Sequence, residues 1–405
     1  MKIYTGQSAC PFFENGVALT IGNFDGVHLG HCQILRQLRQ AADKRHLPTA
    51  IMLFEPQPLE YFSRLKQQQK PYRLTPLRDK LQLLDNGGLI DAAWVLRFNH
   101  ALSGISADDF IAKILIKGLN IKYLLVGDDF RFGSKRQGDF ALLQQQTAFV
   151  TEQVQTVELQ GKRASSTAVR EALAQGDLSH AHRLLGRAYA ISGRVMHGKK
   201  LGRTIGCPTA NIYLPPHHYP LSGVYVVEVT GDFGKRKGVA NFGYNPTVSD
   251  EIKQHLEVHL FDFNGDLYGK RLTVAFFAKL RDEQKFENIN ALKQQIAQDI
   301  QQARHWQADE PLPVVSCCSP KAVWNNDWKM FQAAWKKRTA QNGSFFVLQS
   351  NAYAFCLCAS TTAMATILII RLTDEMGVTI WQGLAMPIRI GPMVTPSAAD
   401  TRNRL

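Results

Sequence analysis

Short apolar runs alternate with amphipathic stretches across the first 186 residues, and this alternation strongly limits the folds open to the chain. Consecutive apolar positions are typical of strands that are buried on both faces. The apolar runs lie at 17–21, 49–54, 92–96 and 123–126, and the amphipathic stretches at 32–45, 77–84 and 107–117. The pattern predicts a doubly wound α/β domain with a parallel sheet, which binds ligands at the carboxyl ends of its strands.

After residue 186 the pattern becomes rich in β-strand signals. Glycines separate the apolar runs, which favours a small antiparallel β-barrel. Leu292, Ile296 and Ile300 recur at every fourth position and predict a closing helix over 288–306. The apolar runs of this region lie at 189–192, 223–229, 256–261 and 272–277.

The last part of the chain differs from the rest in composition. We expect one domain over 1–186, a barrel domain over 187–308, and an extension of unassigned fold and role over 309–405. Residues 339–370 contain no charged residue, and 352–370 is long enough to span a membrane as a helix. Hydroxyl side chains dilute this segment, so a buried helix or an extension without a defined fold is the favoured interpretation.

The chain is basic, with 47 Lys and Arg against 34 Asp and Glu. A positive charge favours an anionic partner, which can be nucleic acid, a membrane surface or a phosphorylated metabolite, although charge also serves solubility. The 7 cysteines show no zinc-type spacing and indicate reduced thiols. The first residues lack the apolar core of a signal peptide, so we expect a cytoplasmic protein.

The most specific local pattern is Gly-Asn-Phe-Asp-Gly-Val-His-Leu-Gly-His at 22–31, between a predicted strand and a predicted helix. A helix N-terminus presents free N–H groups and attracts phosphate. Gly26 and Gly30 permit close approach of a ligand. His28 and His31 lie three residues apart, so both rings can face one phosphate. Two ordinary surface histidines are the alternative.

A second pattern, Ser165-Ser166-Thr167 followed by Arg170, combines a helix cap with a guanidinium one turn later. Together the two patterns resemble the HxGH nucleotidyltransferase superfamily, although Ala164 stands where isoleucine is usual. The resemblance implies a Rossmann-like fold in which His28, His31 and Arg170 stabilise charge on the α-phosphate and on departing pyrophosphate, with Mg²⁺ assisting.

Two more segments, 54–58 and 126–133, make the first domain similar to the adenylyltransferase module of the bacterial bifunctional riboflavin kinase/FAD synthetase family. The resemblance implies transfer of AMP from ATP to FMN. It implies flavin contacts at Phe54 and Phe62, with core packing as the alternative, and places Asp129 near the reacting phosphates. Asn23 is expected to orient the nucleotide, and Gly22 and Gly30 to line its site.

The β-rich region resembles the riboflavin kinase module of the same family through Gly-Cys-Pro-Thr-Ala-Asn at 206–211. The hydroxyl of Thr209 and the amide of Asn211 suit a Mg²⁺ ion that bridges ATP phosphates. The resemblance implies that Glu257 is the catalytic base, whereas His259 is interpreted as structural. Cys207 departs from the usual aromatic residue. The other expected nucleotide or flavin contacts are Gly193, Gly198, Gly206, Asn241 and Arg281, the last with an ion pair as its alternative.

The resemblance runs from about residue 17 to about residue 306 and implies an enzyme that makes FMN from riboflavin and then FAD from FMN, with ATP in both steps. Two alternatives remain: an HxGH adenylyltransferase for another phosphorylated acceptor, and a basic nucleic-acid-binding protein with degenerate sites. We expect riboflavin, FMN and ATP as partners, no nucleic acid, and no membrane contact outside 352–370. Oligomeric state and channelling of FMN are left open.

Overall fold

The computed structural model describes most of the chain. It contains two units, Met1–Ala322 and Val323–Leu405. The described residues are 1–6, 13–69, 71–154, 158–159, 162–198, 202, 206–245 and 253–308, together with four strands at 345–350, 353–359, 365–371 and 379–382.

Six strands of the first unit form one sheet in the order β1-β4-β3-β2-β5-β6, and every neighbouring pair is parallel. The predicted parallel α/β architecture is therefore confirmed. Each predicted apolar run lies in a central strand, whereas the edge strands escaped prediction because they are short and largely exposed. The strands are β1 (Lys2–Thr5), β2 (Val17–Ile21), β3 (Thr49–Glu55), β4 (Ala92–Arg97), β5 (Ile121–Val126) and β6 (Val150–Gln153).

Helices connect these strands and cover the sheet. The first begins at Leu29, earlier than the periodicity predicts, because the side chain of His28 caps it. The helices of this region are α1 (Leu29–Lys44), α2 (Pro58–Leu65), α3 (Leu77–Asn86), α4 (His100–Ser103), α5 (Ala107–Asp109), α6 (Phe140–Gln144), α7 (Ser166–Ala174) and α8 (Leu178–Leu185).

The predicted helix over 107–117 is only partly α-helical. It begins as expected, with the Ser106 side chain accepting a hydrogen bond from the Asp109 N–H. The residues Phe110–Ile116 then form a π-helix. Because π-helical hydrogen bonds span five residues, Phe110 and Leu115 share a face, and both are buried.

The second half of this unit is a closed antiparallel barrel with the strand order β10-β13-β12-β11-β14-β9, which confirms the predicted β-barrel. Its strands alternate buried and exposed residues, as in Tyr189–Met196. Before α7 in the chain, the two-residue strands β7 (Glu158–Leu159) and β8 (Lys162–Arg163) pair with each other. The barrel strands are β9 (Tyr189–Met196), β10 (Ala210–Ile212), β11 (Gly223–Gly231), β12 (Gly234–Asn245), β13 (Lys253–Leu260) and β14 (Arg271–Arg281).

Helices precede and follow the barrel strands in the sequence. The helices α7 and α8, which precede residue 187, share a buried core with it, since Val169 and Leu185 belong to the same apolar cluster as Phe276. The predicted closing helix is present as α9 (Ile289–His305) and begins at the Asn288 cap.

The unit Val323–Leu405 contains a four-stranded antiparallel sheet in the order β15-β16-β17-β18. Of the two favoured interpretations of 352–370, the buried helix is wrong, because two strands occupy the described part of that segment. Its many isoleucine and threonine residues favour strands. None of the described helices is long and apolar enough to cross a membrane. The strands are β15 (Phe345–Ser350), β16 (Tyr353–Ala359), β17 (Ala365–Arg371) and β18 (Thr379–Gln382).

Candidate active sites

Candidate residues of the first domain follow three neighbouring strands. The segment 22–31, here called the HxGH loop, follows β2, Phe54 lies at the end of β3, and Asp129 follows β5. Because these strands are adjacent and parallel, their carboxyl ends meet at one edge of the sheet. The structure therefore brings these predicted residues to one edge. Asp129 is exposed there.

The two histidines of the HxGH loop stack on one another. Their ring centroids lie 3.6 Å apart with an angle of 22° between the ring planes. The His31 N–H donates to Nδ1 of His28 at 3.3 Å, so a neutral His28 ring carries its proton on Nε2. The ring of Phe24 packs against that of His31, and the two ring centroids lie 4.7 Å apart. Both imidazoles are thus held at the N-terminus of α1, where an anion is stabilised.

The environment of His31 favours an uncharged ring. Burial, and then the neighbouring His28, Lys80, Arg187 and Arg170, keep the pKa of His31 well below its ordinary value. Its Nδ1 is buried and has no hydrogen-bond partner among the described residues. The Nδ1 of a neutral His31 ring is therefore available to form a hydrogen bond with a bound substrate.

Two glycines of the loop have different surroundings. A Cβ on Gly30 would lie 2.8 Å from the carbonyl oxygen of Ala164, so glycine lets α1 approach the segment before α7. A Cβ on Gly22 would meet only the ring of Phe24, at 3.1 Å.

A buried lysine that the sequence motifs did not indicate lies under the loop. Lys80 on α3 is 1% exposed, and its Nζ donates to the carbonyl oxygen of Asn23 at 2.6 Å. Burial lowers the pKa of Lys80 to about 8, while the carboxylate of Asp25 opposes that change. Lys80 fixes the backbone of Asn23 and adds positive charge near the histidines. The amino group lies 57 positions from its acceptor, so no local pattern signals it.

The second predicted pattern caps α7 and contacts the HxGH loop. The Ser165 side chain accepts from the Ala168 N–H at 3.1 Å, and the Ser166 hydroxyl donates to the Asp25 carbonyl at 2.8 Å. Thr167 is exposed. Arg170 donates from Nη2 to the Asp25 carboxylate at 2.6 Å. The structure thus joins the two patterns through Asp25, which the sequence motifs alone did not single out.

Four aromatic rings cluster beyond the ends of β3 and β4. Phe98 is in edge contact with Phe54 and with Phe62, at centroid distances of 5.8 Å in both cases. Tyr61 joins them through Phe62 and Phe98. Phe62 is 40% exposed, which leaves part of its ring open to a ligand. Phe98 was missed because a single aromatic residue after a strand carries no distinctive signal.

The candidate kinase residues form a polar row on the barrel. Glu257 of β13 is directly paired with Asn211 of β10 on one side and with Asn241 of β12 on the other. Directly paired residues project to the same face of a sheet. The neighbours of Glu257 along β13, Leu256 and Val258, are buried, so the polar row lies on the opposite, outer face.

Thr209 joins this row, since its hydroxyl lies 3.4 Å from Oε2 of Glu257. The ring of His259 bonds to the carbonyl oxygen of Pro208 at 2.9 Å and so ties β13 to the segment before Thr209. Burial raises the pKa of the neighbouring Cys207 thiol, which keeps it protonated.

The donor atoms in this row fit a magnesium ion. Thr209, Asn211 and Glu257 offer hydroxyl, amide and carboxylate oxygens, the ligand types that Mg²⁺ prefers. Across the described part of the chain, no group of three or more His, Cys, Asp or Glu side chains is placed to hold a metal.

The surroundings of the predicted barrel glycines differ from one position to the next. A Cβ on Gly193 would lie 2.4 Å from the carbonyl oxygen of Tyr213, and a Cβ on Gly198 would lie 2.4 Å from Nδ2 of Asn211. Gly206 has a φ of +82° with open space around it. Gly198 therefore makes room for a residue of the polar row, whereas Gly193 permits close strand packing.

Arg281 lies apart from the polar row. Its strand, β14, is separated from β13 by two strands in either direction around the barrel. Its guanidinium forms two-point contacts with the carboxylate of Asp299, with Nη2 at 2.8 Å from Oδ2. This geometry agrees with the ion pair that was the alternative to ligand binding.

Comparisons with known proteins match both the sheet region and the barrel region of the first unit. A family model of FAD synthetase matches residues 11–168, and a model of riboflavin kinase matches residues 185–307.

Curated relatives cover the same part of the chain. A bifunctional riboflavin kinase/FMN adenylyltransferase of Pseudomonas fluorescens is 49% identical over 294 residues, which is 72% of this chain and 93% of that protein. The protein of that name from Haemophilus influenzae is 49% identical over 308 residues, or 75% of this chain and 98% of its own.

Among solved structures, the crystal structure of a protein named macrolide-efflux protein from Streptococcus pneumoniae matches with a TM-score of 0.63 and 30% identity. The match covers 73% of this chain and 96% of that one. Two family models in succession, with relatives matched over nearly their whole length, show that this chain belongs to the bifunctional riboflavin kinase/FMN adenylyltransferase family.

Proposed function

We propose that this chain phosphorylates riboflavin to FMN on its barrel and then transfers AMP from ATP to FMN at the HxGH loop, giving FAD and pyrophosphate. The observation that supports this most is that two separate polar clusters lie on two different folds. One is the stacked pair His28–His31 at the end of a parallel strand. The other is the row of Asn211, Glu257 and Asn241 on the barrel.

Adenylyl transfer at the HxGH loop is a matter of positioning and charge stabilisation. The phosphate of FMN is already an anionic nucleophile, so its attack on the α-phosphorus of ATP needs no strong base. His28, with its proton on Nε2, donates a hydrogen bond to a phosphate oxygen, and the neutral ring of His31 acts by hydrogen bonding. Arg170 adds the guanidinium charge as pyrophosphate leaves.

Phosphoryl transfer on the barrel needs a group that takes the proton from the ribityl hydroxyl of riboflavin. Glu257 is the carboxylate in the polar row, and the Thr209 hydroxyl lies beside it. A bound Mg²⁺, held by Thr209 and Asn211, would neutralise charge on the ATP phosphates. The proton goes to Glu257 as the hydroxyl oxygen attacks the γ-phosphorus, and the bond from the γ-phosphorus to the bridging oxygen breaks to release ADP.

The remaining predicted residues keep supporting roles in this proposal. Phe54 and Phe62 contact the flavin, with Phe98 packed behind them. Asn23 orients the nucleotide. The proposed division places adenylyl transfer in 1–186 and the kinase in 187–308, in a cytoplasmic protein without a nucleic-acid partner.

Chromatography of the products tests the proposal directly. Purified full-length protein is incubated with riboflavin, ATP and Mg²⁺, and separately with FMN, ATP and Mg²⁺. We expect FMN and FAD from the first mixture and FAD with pyrophosphate from the second. The variants His28→Ala and His31→Ala should lose FAD formation and keep FMN formation, and the exposed His100→Ala serves as the matched control.

The competing function, adenylyl transfer to another phosphorylated acceptor, predicts a different result. The protein would then release pyrophosphate with that acceptor and make no FAD from FMN. The proposal would be refuted if the protein released pyrophosphate with another acceptor but made neither FMN nor FAD.

A further inference from the structure

The backbone just before His28 has an unfavourable conformation. Phe24 has a φ of 46° and Val27 a φ of 41°, with Gly26 at 84° between them. The left-handed region suits glycine, but a branched residue such as valine is a genuine outlier there. Such a conformation persists only where surrounding contacts hold it.

Side chains from distant parts of the chain provide those contacts. Within the sheet domain, the Thr75 hydroxyl accepts from the Gly26 N–H at 3.0 Å. Lys80 and Ser166 donate to the carbonyl oxygens of Asn23 and Asp25, at 2.6 and 2.8 Å. These three side chains hold the loop as far as Gly26.

Arg187 holds the two carbonyl groups that come next. Its Nη2 donates to the carbonyl oxygen of Gly26 at 2.5 Å, and its Nη1 donates to that of Val27 at 2.9 Å. One planar guanidinium therefore binds two successive carbonyls, directly before the first histidine. A lysine cannot reproduce this geometry, because its donors share a single nitrogen.

Arg187 stands at the junction with the barrel. It follows Gly186, which ends α8 in the left-handed conformation, and comes two residues before β9. Buried residues anchor it on both sides, since Leu185 is 0% and Tyr189 is 2% exposed. The Tyr189 hydroxyl also donates to the Leu74 carbonyl at 2.8 Å, which ties the start of the barrel to the segment that carries Thr75.

We infer that Arg187 is a positioning residue for adenylyl transfer, and that through it the junction with the barrel holds His28 and His31 in their working arrangement. This inference rests on the proposed function. Arg187 acts through the carbonyls of Gly26 and Val27 rather than by touching substrate. The kinase residues lie on β10, β12 and β13, so they do not share this dependence.

The test measures both activities in one full-length chain. Arg187→Ala and Arg187→Lys are compared with wild type and with Arg183→Ala, an exposed arginine on α8. Because misplacement of catalytic groups by about 1 Å is able to reduce rates 100-fold, we expect kcat for FAD formation to fall at least about tenfold in both Arg187 variants. The KM for FMN and the riboflavin kinase rate should stay within about twofold, since binding and the barrel site are not altered.

A second readout separates positioning from general support of the fold. Guanidinium at low millimolar concentration should restore part of FAD formation in Arg187→Ala, because it replaces the missing donors, and should leave Arg183→Ala unchanged. FAD formation at the wild-type rate in both Arg187 variants would overturn the inference. So would parallel loss of both activities in the milder Arg187→Lys.

The inference and the proposed function fail in different ways. A wild-type chain that makes neither FMN nor FAD refutes the function. A wild-type chain that makes both, with Arg187 variants that match it, refutes only the role of Arg187.

Discussion

The guanidinium of Arg170 is paired with the carboxylate of Asp25, with Nη2 at 2.6 Å from Oδ2. Asp25 is 2% exposed and also accepts the backbone N–H groups of Leu74 and Thr75, each at 3.0 Å. One buried carboxylate thus joins the HxGH loop, α7 and the segment before α3. The arginine expected at the phosphates is oriented by a residue within the other motif.

Replacing this carboxylate should disturb both stability and adenylyl transfer. Asp25→Asn removes the ion pair. It also places an amide NH₂, which donates hydrogen bonds, where the carboxylate accepts them. We expect the free energy of unfolding to fall by about 1–3 kcal/mol. FAD formation should slow, whereas the kinase rate should persist. Chemical denaturation and both assays measure this, with the surface ion-pair variant Asp232→Asn as the control. An unchanged rate of FAD formation would contradict the role given to Asp25.

Changes in the polar row of the barrel should have the opposite selectivity. Glu257→Gln keeps the size of the side chain and removes its basicity, so riboflavin phosphorylation should fall about 100-fold or more while FAD formation from FMN continues. Glu228→Gln, at a surface ion pair on β11, is the matched control. A kinase rate near wild type in Glu257→Gln would assign the base elsewhere.

Thr209 offers a separate test of the magnesium site. Thr209→Ala removes one oxygen ligand, so the kinase reaction should need a higher Mg²⁺ concentration for half-maximal rate. Titration of Mg²⁺ at fixed ATP measures this shift. The adenylyl transfer reaction of the same variant provides the internal control. If the Mg²⁺ dependence is unchanged, Thr209 is not a ligand.

Gly193 should matter for stability through packing. A Cβ added at this position would lie 2.4 Å from both Cγ2 of Ile212 and the carbonyl oxygen of Tyr213. The backbone at Tyr213 cannot move away as easily as a flexible side chain. Gly193→Ala should therefore lower the free energy of unfolding by about 1–3 kcal/mol. Gly104→Ala, where the nearest atom would be 3.4 Å away, should be tolerated. Thermal unfolding distinguishes the two, and equal melting temperatures would show that the strands adjust.

His182 should make stability depend on pH. It is 2% exposed, and its Nε2 bonds to the carbonyl oxygen of Phe276 at 2.9 Å. Burial lowers the pKa of His182 to about 4. Between that pH and the ordinary value of about 6.5, the unfolded chain binds a proton that the folded chain does not. The free energy of unfolding should therefore decrease as pH falls through this range.

Denaturant titrations at several pH values check this expectation. His182→Gln retains an amide donor for the carbonyl of Phe276 and has no titrating ring, so it should flatten the slope between pH 6.5 and pH 4. His180→Gln, on the same helix, should keep the wild-type slope. A slope in His182→Gln equal to that of wild type would assign the pH dependence to other groups.

Local sequence patterns were sufficient to predict the sheet, the barrel and the main motifs. Consecutive apolar residues in Val17–Ile21 and the alternating pattern in β13 follow from which faces each strand buries. The cap at Ser165 and the placement of His28 and His31 at the start of α1 likewise depend on residues close together in the chain. Neighbouring residues were enough for these predictions because helix and strand periodicity is a local property.

The side chains that support the sites became evident from the packing of the folded chain. The partner of Arg170 lies 145 positions away, and the carbonyl bound by Arg187 through Nη2 lies 161 positions away. The structure pairs Arg281 with Asp299, and residues 353–359 and 365–371 form strands where a helix was one of two expectations. Such contacts depend on how whole elements pack, because a hydrogen bond forms between any donor and acceptor that the fold brings within reach.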